Sequence, residues 1–246
     1  MRIALLADIH ANREALEACL AHARSRGAGR FVFLGDYVGY GADPAWTVAT
    51  VMALVEQGAV AVLGNHDHAV ADTSETMTEA ARIAMQWTRG ELAAAARQFL
   101  AALPASAADE DRLYRHAAGT PPRRWTYVRD RDDARQSMGT SAARVTLMGH
   151  THVPALFGQA ASGKMDHLRP TSGVAVPLLP RRRWVAVLGS VGQPRDGNPA
   201  AAYALLDTAT AEIVFERVPY DVDAAAAKIR RAGLPESLAA RLARGR

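Results

Sequence analysis

Four apolar runs of strand length each end on side chains that bind metal ions, and this repetition confines the chain to folds in which several strand ends meet. Ile3 to Ala7 leads into Asp8-Ile9-His10, Phe31 to Leu34 into Gly35-Asp36, and Ala61 to Leu63 into Gly64-Asn65-His66-Asp67. Much further along, Val145 to Met148 leads into Gly149-His150-Thr151-His152. In an open α/β sheet, ligands gather beyond the carboxyl ends of the strands, so the pattern predicts one convergent cluster.

The intervening segments fit that arrangement. Asn12 to Arg26 carries Ala15, Leu16, Cys19, Leu20 and Ala23 at helical spacing, with Asn12 placed to cap the start and Gly27 to end it. This predicts a β-α-β unit. The unit recurs when Pro44 opens a helix reaching about Gln57, Gly58 ends it, and Ala59 to Leu63 forms the next strand. Strand and helix alternate, as a parallel sheet requires. Residues 78–103 read as alanine-rich helix with a break near Gly90 and a stop at Pro104. A short strand over 112–116 ends at His116, and Gly119, Pro121 and Pro122 then force irregular backbone. Strands near 145–149, 153–158, 184–188, 202–207 and 212–218 predict a second, more antiparallel sheet, and helices over 221–232 and 235–244 follow.

A chain of 246 residues suits one large α/β domain over residues 1–246. No apolar stretch reaches the roughly 18 residues of a membrane span, and the first apolar run meets Asp8 and His10 where a signal peptide would need small residues. The single cysteine, Cys19, excludes an intramolecular disulfide, reads as helix packing and suits a cytoplasmic protein. The net charge of +4 is slight, with 29 basic against 25 acidic residues, and Arg181 to Arg183 and the tail from Arg241 to Arg246 read as solvated surface.

A mixed Asp, His and Asn set favours transition metals over calcium, because zinc, iron and manganese accept neutral imidazole as well as carboxylate oxygen. Two metals about 3.5 to 4 Å apart need a shared ligand, and Asp36 is the candidate bridge. Asp8 with His10, and His150 with His152, stand two residues apart at strand ends and can converge.

The ordered set Asp8-x-His10, Gly35-Asp36, Gly64-Asn65-His66-Asp67, His116 and Gly149-His150-x-His152 resembles the calcineurin-like metallophosphoesterase superfamily. The longer runs at 8–12, 35–41, 149–154 and 189–197 resemble its small bacterial and archaeal phosphodiesterase branch. The resemblance implies a four-layer α-β-β-α sandwich of two mixed β-sheets flanked by helices. It implies that Asp8, His10, Asp36 and His152 hold one divalent metal and Asp36, Asn65, His116 and His150 the other, the metals being manganese, iron, zinc or nickel. His66 would act on the leaving oxygen, Asp67 would orient the His66 imidazole, and Arg195 would meet a substrate phosphate. The implied activity is that of a metal-dependent phosphoric ester hydrolase, a phosphatase or phosphodiesterase. It would cleave a phosphodiester, phosphomonoester or phosphoanhydride of a small nucleotide, such as a dinucleoside polyphosphate, by in-line attack of a metal-bridging hydroxide.

Two places depart from the family pattern. Gly39 stands where many members carry a second aspartate, and the segment after His116 reads Ala-Ala-Gly-Thr-Pro. A nuclease is a second reading, but aromatics make up only 6% of the chain and the arginine clusters are compact, so nucleic acid is not the expected partner. A third is a non-catalytic protein-binding scaffold of the same fold, which would have no use for His66 and a full ligand set. His22 and His167 read as structural histidines, His68 either as a pocket residue or as structural, and Trp125 and Tyr127 either as packing or as platforms for a base or sugar.

Overall fold

Strand β1 (Arg2–Leu6) is apolar on both faces because each face meets a different core. Ile3 and Leu5 look into one layer, Ala4 and Leu6 into another. The computed structural model describes residues 1–119 and 125–246, so Pro121 and Pro122, expected to force irregular backbone, lie outside the described residues.

Helix α1 (Arg13–Ser25) follows as expected: Asn12 Oδ1 accepts the Ala15 N–H at 3.1 Å, and the buried face is Ala15, Leu16, Cys19, Leu20 and Ala23. Strand β2 (Ala28–Phe33), helix α2 (Pro44–Glu56) and strand β3 (Val60–Ala61) repeat the unit, with Pro44 in the first turn of α2. Helix α3 (Asn65–Ala71) starts inside the third block, where the sequence predicted no helix. The alanine-rich stretch divides into α4 (Glu79–Glu91) and α5 (Ala94–Ala102), so the break falls after Glu91 and Gly90 remains helical.

Strands β4 (Ser106–Asp109) and β5 (Arg112–Arg115), helix α6 (Arg131–Gly139) and strands β6 (Val145–Met148), β7 (Ala155–Gln159), β8 (Met165–Leu168), β9 (Ala175–Pro177) and β10 (Arg183–Val187) come next. The hairpin β11 (Ala201–Asp207) and β12 (Glu212–Val218) precedes helices α7 (Val222–Arg231) and α8 (Glu236–Leu242).

The strands form two mixed sheets, ordered β3-β2-β1-β11-β12-β9 and β4-β5-β6-β10-β7-β8. The late hairpin joins the first sheet, pairing Ile3 with Leu206 and Ala4 with Leu205 in antiparallel register. The expected placing of strands 202–207 and 212–218 in a second, more antiparallel sheet is therefore corrected: this hairpin belongs to the first sheet, and each sheet mixes both orientations. Ile3, Leu5, Val32 and Leu206 pack against Leu147, Leu156, Trp184 and Ala186 between the sheets. Helices α1 to α5 cover the outer face of the first sheet, and Ala134 and Met138 of α6 cover Phe157, Val185 and Val187 on the second. A smaller cluster joins Ala84 of α4 to Ile229, Leu238 and Leu242 of α7 and α8. These are the α, β, β and α layers. No helix among the described residues is long and apolar enough to cross a membrane.

Candidate metal centre

The parallel strands of both sheets deliver their carboxyl ends to one edge, and the loops that leave them are held there by backbone bonds. Asp8 N–H donates to Gly35 O at 3.0 Å and His10 N–H to Asp36 O at 2.9 Å, so the β1 and β2 loops stay paired beyond their strands. The 189–197 loop after β10 closes over them: Ser190 Oγ and Gly192 N–H both donate to Asp8 O, at 2.7 and 2.9 Å. Asp8, His10, Asp36, His150 and His152 all have positive φ, between 50° and 65°. For residues with a β-carbon this costs about 1–3 kcal/mol each, and such strain persists only where the surroundings fix it.

Tight approach of these loops requires glycine at particular positions. A β-carbon on Gly149 would run into Asp8 Oδ2, and one on Gly39 would run into His66 Nδ1. The second case accounts for the departure at Gly39: with φ +86° and the His66 ring against it, there is no room for an aspartate side chain.

The buried side chains fall into two groups whose ligand atoms lie within 4.8 Å of one another: Asp8, His10, Asp36 and His152, and Asp36, His116 and His150. Asp36 belongs to both. Its Oδ2 stands 3.7 Å from His10 Nε2 and 3.4 Å from His116 Nε2. Asn65, the first residue of α3, presents Oδ1 3.1 Å from His116 Nε2 and so adds an oxygen to the second group.

Three imidazoles are oriented by the backbone. Nδ1 of His10 donates to Val38 O at 3.1 Å, that of His116 to Leu34 O at 2.7 Å and that of His152 to Gln193 O at 2.6 Å. Each Nε2 is thereby left to face the centre, as it does in metal-ligating histidines. His10 Nε2 and His152 Nε2 stand 3.1 Å apart, as do His116 Nε2 and His150 Nδ1 at 3.2 Å, and His150 Nε2 is buried without a partner among the described residues. Nitrogen lone pairs crowd together in this way where a cation would separate them, so the donor set fits two divalent transition ions.

The electrostatics agree. Burial, partly opposed by the Asp36 charge, holds His10 well below the usual histidine range, and burial with the His116 charge does the same for His150. Burial alone would lower His116 too, but the Asp36 charge and hydrogen bond raise it to about 9, and Asp36, despite burial, is held well below the usual carboxylate range.

Asp67 requires a correction. Its carboxylate accepts backbone N–H bonds from Asp36 at 2.7 Å, Gly64 at 3.0 Å, Tyr37 at 2.9 Å and Val38 at 3.3 Å, which fills both oxygens. His66 Nδ1 is buried with no partner among the described residues. Asp67 therefore ties α3 to the β2 loop instead of orienting the imidazole. The His66 ring itself lies 4.9 Å from that of His10, centre to centre, beside the cluster.

Arg195 reaches the rim of the site, donating to Gln193 Oε1 at 3.0 Å and to Tyr40 Oη at 3.4 Å. Sequence reasoning missed its companion: Arg241 of α8 donates to the same Gln193 oxygen at 3.2 Å, so part of the basic tail is part of the rim. Tyr40, whose ring lies 4.6 Å from those of His10 and His66, was missed as well. The longer glycine-rich run at 35–41 was the available signal.

His68 turns away and meets Glu75 Oε1 at 2.9 Å, which also accepts from Trp125 Nε1 at 3.0 Å. Tyr127 stacks on His150 at 4.2 Å and carries the Arg129 guanidinium over its ring, also at 4.2 Å, so it packs against the cluster. His22 bonds Tyr203 Oη at 2.8 Å and His167 stacks on Phe157 at 4.4 Å, both away from the centre.

Two mixed sheets converging on a carboxylate shared by two imidazole-rich groups define a dinuclear metallohydrolase class. Residues 1–211 match the calcineurin-like phosphoesterase superfamily domain, and the chain belongs to that family. It is accordingly a metal-dependent phosphoric ester hydrolase. It is 32% identical to an uncharacterized protein of Methanocaldococcus jannaschii over 99% of this chain and 98% of the relative. Its fold is similar to that of a metallophosphoesterase from Sphaerobacter thermophilus, with a TM-score of 0.88, 35% identity, and coverage of 100% of this chain and 99% of that one. A hypothetical protein from Pyrococcus horikoshii shares the fold with a TM-score of 0.80 at 20% identity, covering 100% and 98% of the two chains.

Proposed function

We propose that Asp8, His10, Asp36 and His152 hold one metal ion, that Asp36, Asn65, His116 and His150 hold the other, and that the pair cleaves the phosphate ester or anhydride bond of a small phosphorylated molecule. The observation that carries this reading is Asp36 Oδ2, which lies within 3.7 Å of an imidazole nitrogen from each group. Two bound divalent cations supply an activated water near neutral pH and polarise the phosphoryl oxygens.

The chain's own groups do the rest. His10, His116 and His152, turned by backbone carbonyls, keep their lone pairs on the centre. His66, beside His10 and without a partner at Nδ1 among the described residues, supplies a hydrogen bond or proton to the leaving oxygen. Arg195, whose side chain bonds the neutral Gln193 and Tyr40 side chains and no carboxylate among the described residues, retains an uncompensated charge for a substrate phosphate, which it can meet with two N–H groups. Manganese, iron, zinc and nickel all suit the donor set. One domain spanning residues 1–246 and a cytoplasmic location complete the reading, the latter supported by the single buried cysteine.

The test is a panel of metal-stripped protein reloaded with each metal and assayed on bis-p-nitrophenyl phosphate, p-nitrophenyl phosphate, cyclic nucleotides and dinucleoside polyphosphates. Turnover that depends on added metal is expected on at least one of them. No turnover on any, with two metals bound per chain, would favour the scaffold reading.

A further inference from the structure

Beside the His150 and His152 loop runs a groove of about 380 Å³, a volume within the range of small-molecule sites. Arg129, Arg169 and Arg195 line it together with Tyr127 and Thr151, and no carboxylate does. Among the described residues the three guanidinium groups have no acidic partner. Arg129 lies over the Tyr127 ring, Arg195 bonds neutral oxygens, and Arg169 has no hydrogen-bond or ion-pair partner among the described residues.

A second hollow of about 350 Å³ continues from Val153, Pro154, Arg169 and Arg195. Its carboxylates are already neutralised, Asp196 by Arg217 and Glu216 by Arg26. Positive charge is therefore left over in the first groove, beside Tyr127 and Thr151, which adjoin His150. Tyr127 is stacked on His150 and covered by Arg129, so charge recognises the occupant more than base stacking does.

We infer that this groove binds a second phosphoryl group on the substrate, carried on the part of the molecule beyond the scissile bond. The preferred substrates are then small molecules bearing at least two phosphoryl groups. The inference rests on the phosphoesterase reading for its link to catalysis, but the groove can be tested without it.

The probe is adenosine 5′-diphosphate, titrated calorimetrically into metal-stripped protein. Wild type is expected to bind it, and Arg169→Ala to bind about tenfold more weakly, the factor that one modest charged contact gives. Arg129→Ala is the second variant. Arg169 is exposed and bonds no described residue, so the variant is expected to fold, and a thermal melt checks this. In metal-loaded protein at fixed free metal, the inhibition constant of the diphosphate against p-nitrophenyl phosphate turnover is expected to rise about tenfold in Arg169→Ala, with the constant for inorganic phosphate moving far less. No diphosphate binding by the stripped wild type, equal affinity in wild type and both variants, or equal shifts for diphosphate and phosphate would each overturn the inference. If metal-loaded wild type hydrolyses nothing, the phosphoesterase reading fails, and the titration of stripped protein still decides the groove.

Discussion

Asp67 Oδ2 accepts a 2.7 Å hydrogen bond from the backbone N–H of Asp36, so the residue next to the site histidine holds the backbone of the residue shared by both metal groups. Three more amides, from Gly64, Tyr37 and Val38, complete the cradle. Asp67→Ala leaves these buried donors unpaired, and stability is expected to fall by about 3 kcal/mol or more in urea denaturation. Metal affinity should drop about 10–100-fold as Asp36 loses its anchor. An unchanged denaturation midpoint would show that the cradle contributes nothing.

Removal of the shared carboxylate affects both ions at once. Asp36→Asn is expected to bind fewer than two metals per chain by elemental analysis and to lose activity in proportion. Two tightly held metals in this variant would exclude Asp36 as the bridge.

Among the described residues His66 Nδ1 has no hydrogen-bond partner, and loss of the ring should leave the candidate metal ligands in place. His66→Ala is expected to keep its metal content while kcat falls about 100-fold, the usual contribution of a positioned acid or base. Full turnover would remove His66 from catalysis.

The space opposite that ring belongs to Gly39. Gly39→Ala adds a β-carbon where His66 Nδ1 stands, at φ +86°. A stability loss of about 1–2 kcal/mol from the strained backbone and a lower kcat with metal retained are expected, and wild-type kinetics would show that the ring can move aside.

Chelation should destabilise the protein as well as silence it, because the facing nitrogens of His10 and His152, and of His116 and His150, lose the cations that separate them. At metal concentrations about 100-fold above Kd, binding contributes about 2.7 kcal/mol per site. For a chain of this size that is a melting-temperature rise of roughly 5–10 °C per bound ion, read by calorimetry with and without chelator. An identical midpoint in both would mean that no ion binds the folded state.

Much of the first β-α-β pair was legible in the sequence because its signals are local: the apolar face of α1 and the Asn12 cap are five residues at one spacing and one hydrogen bond. Three strands that left no clear signal, β4, β8 and β9, lie at sheet edges, where short, half-solvated segments show little hydrophobic pattern. Helix α6 was hidden by Arg131, Asp132, Asp133 and Arg135, although only Ala134, Ser137 and Met138 need be buried. The seven metal-ligand candidates were readable because each follows a strand. Three of the Asp67 contacts were not, since no spacing in the chain reveals that this carboxylate, besides the Gly64 amide at capping distance, will meet three backbone amides from a distant loop. Arg241 was missed for the same reason: only the docking of α8 brings it to Gln193.

The left-handed backbone at Asp8, His10, Asp36, His150 and His152 bears on how such a protein would decay. At each of these positions glycine would relieve torsional strain, by up to about 1–3 kcal/mol, so the side chains there are kept against the conformational preference of the chain. A descendant freed from hydrolysing phosphate would shed that strain by surrendering them, at the cost of the His150 and His66 amide bonds that Asp8 and Asp36 accept. Glycines at those five places would therefore mark a lineage that has kept the architecture and given up the chemistry.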